Sequence, residues 1–334
     1  MAYVPAFEVT ARLVALIEEI AALRARVLAA TVQVPWIPRL QQDARVRNTH
    51  SSTAIEGNPL TQEQVRDLAQ GRDVPAIADR SRQEVLNYFA ALRYIETHAA
   101  KRRLVHRDIL RLHLIACRGV MDQGQEGAYR RIQVWVGPHK PPPPEQVEPL
   151  MSDLLDWWNG SARDWSAVIS SPIVHHRFED IHPFGDGNGR VGRLLSLWEL
   201  YRRGFDTHHI FSVDEYFWED RPRYYEALRE VGRQGGNLTG WLEYCATGLR
   251  LVLERVWLRI QRLAADQSTE KVVLRPKQEQ LLALLRDRQA MSPREIREAL
   301  GVSKQGALDL LKPLVAAGLV KRSGTRRSGK YLLR

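Results

Sequence analysis

Apolar residues recur three or four positions apart through most of this chain, which is the spacing of one face of an α-helix. The pattern is clear over residues 8–30, and capping-box patterns at Thr61–Gln64 and Ser81–Glu84 predict two further helix starts. The chain is therefore predicted to be mainly α. Further helices are predicted near residues 106–117, 145–158, 166–180, 188–203, 221–232 and 239–264.

One stretch has the alternation of a strand. Apolar and polar residues roughly alternate over Ile132–Val136, and Gly137 and the prolines at 141–144 follow. Because proline cannot donate a hydrogen bond to a ladder, the strand must end there. We expect a short exposed hairpin over Ile132–His139, of the kind that serves a ligand or a partner in a helical protein.

The last segment has a different order of elements. Residues 277–334 are predicted to form three helices and then two short strands around a basic Gly/Ser loop. This order resembles a winged helix-turn-helix, whose recognition helix would begin at Ser303, Lys304 and Gln305. Such folds also serve as dimerisation or protein-docking modules, so the partner stays open. The polar stretch 265–276 is predicted to be a linker.

The net charge of +10 lies wholly in residues 271–334, the last segment with part of the linker. Residues 271–334 hold 15 Lys and Arg against 5 Asp and Glu, so the 270 residues before them are neutral. A concentrated basic segment favours a polyanionic partner, most simply nucleic acid. The alternative is a solubilising surface that has no partner.

Composition excludes several classes of protein. A hydrophobic fraction of 44% in 334 residues is typical of a globular chain of about two domains. No apolar run approaches the roughly 20 residues that span a bilayer, and no signal peptide is visible at the start. Two cysteines, Cys117 and Cys245, cannot form a disulfide framework. We therefore expect a cytoplasmic protein with reduced thiols and no membrane partner.

The loop Ile181-His-Pro-Phe-Gly-Asp-Gly-Asn-Gly-Arg-Val-Gly-Arg193 carries the densest chemistry. Pro183 forbids simple continuation of the preceding helix, and Gly185, Gly187 and Gly189 then alternate just before the next one. Glycines let main-chain N–H groups converge on an anion, and the helix N-terminus adds the positive end of its dipole. The loop therefore predicts a phosphate-binding site.

Side chains of this loop suit a polyphosphate with a metal ion. Arg190 and Arg193 are three residues apart, so we expect them to point to one side of the helix and to bind more than one phosphate. Asp186 fits Mg²⁺ held between one carboxylate and substrate phosphates. His182 titrates near neutral pH and can accept a hydroxyl proton.

Other kinds of site fit the loop less well. A dinucleotide fingerprint needs a preceding strand and a βαβ unit, and a Walker A loop needs Gly-Lys-Ser/Thr; the sequence has neither. A zinc site from His175, His176 and His182 would lack the His-Glu-x-x-His pattern and a cysteine pair. We expect His175 and His176 to be helix residues, one packed and one exposed.

The loop matches the signature of the Fic family, His-Pro-Phe-x-Asp-Gly-Asn-Gly-Arg-x-x-Arg, at every fixed position. The resemblance extends over about residues 48–250 and includes Gly127–Arg130, the predicted hairpin and Asp220–Leu228. It implies a Fic-type helical bundle with a hairpin flap. It also implies a protein adenylyltransferase, which transfers AMP from ATP to a Ser, Thr or Tyr hydroxyl of a target protein.

The resemblance implies a role for each matching residue. His182 is the catalytic base, Asp186 holds Mg²⁺, and Phe184 anchors the loop. Arg190 and Arg193 bind the β- and γ-phosphates, while the flap pairs with the target chain as an added strand. The nucleotide-binding residues implied are Val136, Gly137, Pro138, His139, Asp186, Gly187, Asn188, Gly189, Arg190, Val191, Gly192 and Arg193.

One position departs from the pattern of the family. Some relatives place an asparagine against adenine just after the Tyr-Tyr-x-Ala-Leu segment, and this chain has Gly232 there. Tyr224, Tyr225 or Trp241 are alternative stacking partners for the base. The family also contains a phosphocholine transferase and kinases, which lose the last glycine or the second arginine of the loop. This chain keeps both, which favours AMP transfer.

The segment Ser51–Pro59 resembles the inhibitory helix of the family, Ser/Thr-x-x-x-Glu-Gly/Asn, with Ser52, Glu56 and Gly57 at the fixed positions. Its place before the catalytic core is that of class II, the members with an N-terminal inhibitor. Glu56 is then expected to pair with Arg193 and to exclude the γ-phosphate. An ordinary helix C-terminus is the alternative, because a Gly-Asn pair is a good cap.

The chain is interpreted as an N-terminal helical region (1–110) with the inhibitory motif (52–57), a Fic core (111–264), a linker (265–276) and a winged helix-like domain (277–334). ATP is the expected substrate, Mg²⁺ the cofactor, and a hydroxyl of a target protein or of the chain itself the acceptor. DNA binding by the last domain and a homodimer stay open. So do two other functions, a transcription regulator that senses nucleotide and a hydrolase that removes AMP.

Overall fold

The structure is a computed structural model. It describes residues 3–31, 37–74, 77–137, 139–205, 208–266, 274–323 and 329–333. The chain divides into two compact units, the first from Met1–Val32 with Ile37–Ile260 and the second mainly from Gln261–Arg334. Within these described ranges, no helix is both long and apolar enough to cross a membrane.

The chain up to Asp266 is built from helices, with a short 3-10 helix at Ser161–Asp164. The α-helices are α1 (Ala11–Thr31), α2 (Ile37–Ile55), α3 (Gln62–Ala69), α4 (Asp79–Thr97), α5 (His106–Cys117), α6 (Pro144–Asn159), α7 (Ala167–Ile181), α8 (Asn188–Arg202), α9 (Val213–Glu219), α10 (Arg221–Arg233) and α11 (Thr239–Asp266).

The helices α7 and α8 pack against each other in the middle of the first unit. Both are buried along most of their length, and α6, α4, α5 and α2 pack around the pair. Large side chains such as Phe178, Trp158, Trp198 and Trp241 fill the surrounding core. The loop between α7 and α8 is therefore tied at both ends to helices that cannot shift without opening that core.

Two predicted helix starts have different outcomes. Thr61 caps α3 with the predicted capping box, in which its hydroxyl accepts the N–H of Gln64. The pattern at Ser81–Glu84 does not open a helix, because α4 begins two residues earlier at Asp79. The Glu84 carboxylate instead accepts a hydrogen bond from Asn58 Nδ2 at 2.8 Å, so a tertiary contact has taken the side chain that the pattern assigned to a cap.

The strand predicted over Ile132–Val136 does not form in the described part of the chain. The predicted hairpin is reduced to one antiparallel bridge, in which Val136 and His139 each donate an N–H to the other's carbonyl at 3.0 Å. Gly137 makes the turn at φ +56°, and Pro138 lies outside the described residues. The returning arm runs into four prolines without N–H groups, so a ladder cannot continue.

The second unit has the predicted order of three helices and an antiparallel strand pair. Its elements are α12 (Pro276–Arg288), α13 (Pro293–Leu300), α14 (Lys304–Ala316), β1 (Val320–Ser323) and β2 (Lys330–Leu333). Leu281, Ile296, Leu311, Leu314 and Val320 are among the side chains that fill its core.

The N-terminus of α14 is exposed, as the prediction of a recognition helix requires. Ser303 caps it by accepting the N–H of Gly306 at 3.1 Å, and Lys304 and Gln305 in its first turn are exposed. Residues 267–273 of the predicted linker and 324–328 of the predicted basic loop lie outside the described residues. The predicted domain boundaries stay predictions.

Candidate active site

The loop between α7 and α8 is closed by its own side chains. His182 ends α7 in the left-handed conformation at φ +50°, and Gly187, at φ +79°, precedes α8. Asn188 spans the loop, because its Oδ1 accepts the N–H of Phe184 and its Nδ2 donates to the carbonyl of Phe184, both at 2.9 Å. The main chain between these points is thereby held in one curved shape.

Neighbouring segments hold the loop from outside. The guanidinium of Arg130 donates to the carbonyl of His182 at 2.8 Å, and its main-chain N–H donates to the carbonyl of Pro183 at 2.9 Å. The ring of His113 stacks on Phe184 with centroids 3.7 Å apart. Burial lowers the pKa of His113 to about 4, so its ring is neutral near pH 7.

At three glycines of this region, a neighbouring side chain occupies the place that a Cβ would take. A side-chain carbon at Gly187 would overlap Cys117 Sγ, and one at Gly189 would overlap the carboxylate of Glu56. The third, Gly192, lies against the carboxyl of Glu179. The glycines therefore admit close neighbours, and at Gly189 that neighbour is an acidic side chain from 133 positions earlier in the chain.

His182 is a neutral base at the edge of the loop. Its Nδ1 lies 3.3 Å from the carbonyl of Glu179, an acceptor that favours a proton on Nδ1. Burial lowers the pKa of His182 to about 4, so the imidazole is neutral at physiological pH. The Nε2 lone pair is then available to accept a proton.

The guanidinium of Arg193 is buried and bound on several sides. Its Nε donates to Ser52 Oγ at 2.8 Å, and its Nη2 donates to the Ser52 carbonyl at 2.9 Å and to Glu56 Oε1 at 2.8 Å. Asp214 Oδ2 lies 3.8 Å from Nε and accepts a hydrogen bond from Tyr88 at 2.9 Å. Among the described residues, Arg193 Nη1 has no hydrogen-bond partner.

Glu56 is brought to Arg193 by the way α2 ends. The helix stops at Ile55, and the N–H groups of Gly57 and Asn58 donate back to the carbonyls of Ala54 and Thr53. Gly57 takes φ +95°, a conformation that glycine adopts without strain. The carboxylate of Glu56 thus leaves the cap in a fixed direction, with its side chain 34% exposed.

One cavity of about 1080 Å³ connects these groups. His182, Arg193 and Glu56 line it, together with the loop residues Gly185–Gly189 and the flap residues Val136, Gly137 and His139. A neutral base, the glycine-rich loop before α8 and a buried arginine paired with Glu56 therefore line one space. That combination suits a phosphorylated ligand and transfer to a hydroxyl.

Comparison with known proteins decides the family of this site. The profile of the Fic/DOC family matches residues 103–200, which include the whole loop. The chain carries a Fic domain. The profile of the MarR family matches residues 274–330, so the second unit holds a MarR-type winged helix domain.

Relatives with this domain are found in insects and bacteria. Protein adenylyltransferase Fic of Aedes aegypti is 31% identical over 205 residues, which are 60% of this chain and 39% of that protein. Its namesake from Drosophila willistoni is 32% identical over 196 residues, 57% of this chain and 38% of that protein. This chain thus spans about two fifths of the length of those curated relatives.

A solved structure matches nearly the whole chain. A Fic family protein from Desulfovibrio desulfuricans is 29% identical with a TM-score of 0.68, over 99% of this chain and 98% of that one. A Fic domain containing signaling protein from Bacteroides thetaiotaomicron, at 24% identity and a TM-score of 0.64 over 75% of this chain and 100% of that one, shares the fold.

Only some of the site residues predicted in the Fic loop line the cavity. Gly187, Asn188, Gly189 and Arg193 line the cavity, but Arg190, Val191 and Gly192 do not. The two arginines thus differ in whether they line the cavity, and binding of both to phosphates stays a prediction. Residues four apart share a helix face more closely, so Arg193 follows Gly189 into the cavity, whereas Arg190 Nη2 lies 3.7 Å from Asp186 Oδ1.

The three aromatic residues predicted as stacking partners for adenine also differ in whether they line the cavity. Trp241 is buried and donates its indole N–H to the carbonyl of Pro172 at 2.8 Å, so it is excluded as a stacking partner. Tyr225 and Tyr224 line the cavity. Of His175 and His176, one is expected to be packed and one exposed. His175 is buried, and His176 is half-buried and lines the cavity.

Asp186 fits a single Mg²⁺ contact. Its side chain is 27% exposed and lines the cavity, while its two oxygens accept N–H groups from Gly187 and Asp122 and keep lone pairs free. The described residues contain no cluster of three His, Cys, Asp or Glu side chains that would hold a metal by itself. The site thus suits an ion that takes most ligands from phosphates and water, as Mg²⁺ does.

Sequence reasoning missed Glu179, which belongs to the site. Its Oε2 lies 3.7 Å from His182 Nδ1, and Oε1 has no hydrogen-bond partner among the described residues. Burial raises the pKa of Glu179 from 4.5 to about 8, a rise that Glu56 supports and Arg193 opposes. Glu179 lies three residues before His182, near the end of α7, and this spacing is the sequence feature that could have identified it.

Glu179 is expected to make the first unit less stable as pH rises. Its folded pKa exceeds its unfolded one, so the folded chain holds a proton that the unfolded chain releases, and stability falls between pH 4.5 and about 8. The free energy of unfolding of the unchanged protein should fall by roughly 1–2 kcal/mol between pH 6.5 and 8 because of this group, and Glu179→Gln should abolish that fall. The measurement is urea unfolding by fluorescence, since all nine tryptophans precede residue 258.

The matched control is Glu145→Gln, at an exposed glutamate in α6 that should keep the slope of the unchanged protein. Histidines with lowered pKa values, such as His182 and His113, take up fewer and fewer protons on unfolding as pH rises from 6.5, but they contribute equally to the slope in all three proteins and cancel in the comparison. Equal slopes for Glu179→Gln and the unchanged protein would contradict a protonated Glu179.

Proposed function

We propose that this chain is a protein adenylyltransferase that transfers AMP from ATP to a hydroxyl of a protein and is inhibited by its own Glu56. The observation that carries the proposal is the 2.8 Å pair of Arg193 and Glu56 in the cavity that also holds the neutral base His182. The insect relatives bearing the name protein adenylyltransferase support the same reaction.

The phosphates of ATP are assigned to the loop before α8. Main-chain N–H groups of residues 187–189 stand at the positive end of the α8 dipole, where anions are stabilised. The Nη2 of Arg193, which Glu56 occupies in this structure, is assigned to the γ-phosphate. Mg²⁺ bound at Asp186 would supply charge neutralisation for the leaving diphosphate.

His182 is assigned the proton transfer. A target hydroxyl attacks the α-phosphorus in line, and its proton moves to Nε2 of His182 as the new oxygen–phosphorus bond forms. The bond from the α-phosphorus to the bridging oxygen breaks, and pyrophosphate leaves. The residues contribute mainly position and charge, which are the usual sources of rate in phosphoryl chemistry.

Binding of the target protein is assigned to the flap, residues 132–139. Residues 132–135 have no ladder partner in the described part of the chain, so an added strand can pair with main-chain groups there. Trp135 is 66% exposed and Ile132 44%, which gives such a strand apolar contacts beside its hydrogen bonds. The bridge between Val136 and His139 would hold this edge next to the cavity.

Inhibition follows from competition for one guanidinium. Glu56 occupies Arg193 Nη2 from a fixed cap, and a carboxylate tethered in this way acts at high effective concentration. ATP that binds without this arginine would place its γ-phosphate elsewhere and misalign the α-phosphate. A nucleotide sensor would need no neutral base at this position, so His182 favours the enzyme over a pure regulator.

His182→Ala, made in a Glu56→Gly background, should lower transfer of labelled AMP by roughly 10²–10⁴-fold because the general base is lost. ATP binding by calorimetry should stay unchanged, since the phosphate loop is intact. His98→Ala, an exposed histidine remote from the cavity lining, is the control and should transfer normally. Transfer by His182→Ala close to that of its parent would refute the assignment.

Glu56→Gly should raise AMP transfer by about tenfold or more, because Arg193 is freed for the γ-phosphate. The assay is incorporation of label from α-labelled ATP in excess Mg²⁺, with self-labelling as one readout. Glu56→Gln keeps the size of the side chain but not its charge and should give a smaller gain. Adding Arg193→Ala to Glu56→Gly should remove most of the gain.

A double variant as active as Glu56→Gly would contradict the role of Arg193, and a Glu56→Gly protein no faster than the unchanged one would contradict inhibition. A hydrolase predicts the opposite pattern, in which Glu56→Gly loses the ability to release AMP from a modified target. The same protein samples therefore decide between the two reactions.

We also propose that the MarR-type domain binds duplex DNA through the N-terminus of α14. Lys304 and Gln305 are exposed there, and residues 271–334 carry the whole net charge of the chain. Phosphate contacts release counterions, so affinity should fall steeply as salt rises. A basic exposed surface without partners is the alternative.

Lys304→Ala should weaken binding of the full chain to a mixed-sequence duplex and lower its salt slope by about one unit. Arg12→Ala, a 67% exposed arginine in the first unit, removes the same charge elsewhere and should leave binding unchanged. Titrations followed by fluorescence anisotropy at several salt concentrations give both numbers. Absence of binding at low salt would assign the domain to protein docking.

A further inference from the structure

The cavity has an end that the loop, flap and inhibitory segment do not account for. Gly232, Gly235 and Gly236 line it there, and a Cβ built on any of them meets nothing within 4 Å. The neighbouring amide side chains, Gln234 and Asn237, do not line the cavity. Gln234 Nε2 donates to Glu230 at 3.0 Å, and Asn237 Oδ1 accepts the N–H of Thr239 at 2.9 Å. This end therefore has space for a flat ligand group but no side-chain amide to bind it.

A segment near the start of the chain, Tyr3–Ala6, also lines the cavity. The carbonyl of Ala6 accepts the N–H of Leu238 at 2.8 Å, and Ala6 pairs with Asn237 in a parallel bridge. Two residues on, the N–H of Glu8 donates to Thr239 Oγ1 at 2.8 Å. The segment is thus bonded directly to the residues that follow Gly235 and Gly236.

Aromatic contacts fix the segment at its other end. The guanidinium of Arg177 lies 4.8 Å from the ring centre of Tyr3, and Trp157 meets the same ring edge-on at 5.7 Å. Phe7 packs edge-on against Trp165 at 4.9 Å. With both ends held, the segment is a wall of the cavity.

The middle of the segment keeps free binding groups. Val4 is 81% exposed although it lines the cavity, and in the described ranges no main-chain hydrogen bond engages Tyr3, Val4 or Pro5. Adenine offers a donor at N6 beside an acceptor at N1, and a carbonyl and an N–H of an extended chain match that pair. An apolar side chain beside them suits the flat face of the base.

We propose that Tyr3–Ala6 is the base-binding wall of the nucleotide site, supplying through Val4 and its free main-chain groups the contact that no side-chain amide supplies at Gly232. This rests on the proposed function, in which the cavity binds ATP. The triphosphate lies at the loop before α8, and the base lies between Tyr3–Ala6 and the glycines at 232–236. The segment therefore contributes to affinity for the base and not to affinity for phosphate.

The test compares ATP with inorganic tripolyphosphate, which has the phosphates but no base. In the full chain carrying Glu56→Gly, deletion of residues 1–5 should weaken ATP binding by about tenfold, as expected for one or two lost hydrogen bonds. Tripolyphosphate should bind as before. Val9→Ala, at a 51% exposed residue outside the cavity lining, is the control and should bind both normally.

Unchanged ATP affinity after the deletion would overturn the inference while leaving the proposed function intact. Equal weakening of ATP and tripolyphosphate would overturn it too, because the segment would then act on the whole site. Failure of the undeleted Glu56→Gly protein to bind ATP would overturn both proposals.

A second measurement does not depend on the folding of the deleted chain. Photolysis of the Glu56→Gly protein with 8-azido-ATP should crosslink the base to the peptide that contains residues 3–6, and excess ATP should suppress the product. Mass spectrometry identifies the labelled peptide. Labelling confined to other peptides, such as those with residues 224–236, would overturn the inference.

Discussion

The buried guanidinium of Arg193 is the charge around which the Fic site is organised. Its side chain is 1% exposed, and an uncompensated cation at such a depth would cost several kcal/mol. Ser52, Asp214 and Glu56 compensate it from α2, from α9 and from the cap after α2. The contact thereby joins the end of α2 to α8 and α9 and sets where the carboxylate of Glu56 can lie.

This arrangement divides the partners of Arg193 into permanent and exchangeable ones. Asp214 and Ser52 are buried, and Tyr88 holds Asp214 in place. Glu56 alone among the three reaches the guanidinium across the cavity, with a third of its side chain exposed. Exchange of Glu56 for a phosphate would therefore keep the charge balance, whereas loss of Asp214 would leave a buried cation short of its permanent partner.

The loop beside Arg193 is held rigidly, so an exchange of the partner of Arg193 need not change the shape of the loop. The loop is closed by Asn188, braced by Arg130 and packed against neighbouring side chains at Gly187 and Gly189. A ligand can thus alter the partner of Arg193 without reshaping the phosphate site. The first 270 residues are electrically neutral overall, so its electrostatics are local, while the charge excess belongs to the segment with the MarR-type domain.

The amino-acid sequence alone determined the helices that have an apolar face and the glycine-rich loop that holds His182 and Arg193. Helical periodicity and the backbone preferences of glycine both act over a few residues, so they can be read from the sequence. The apolar pattern did not predict α2, whose buried face carries polar residues such as Asn48 and Ser52, so only the resemblance at Ser51–Pro59 indicated a helix at its end. The pattern also predicted a strand at 132–136 that has no ladder partner in the described part of the chain. Tertiary structure decided that Arg193 and not Arg190 faces the cavity, and that Glu179 and Tyr3–Ala6 join it. The physical reason is separation: the partner of a buried charge is chosen by packing, and Ser52 and Arg193 stand 141 positions apart.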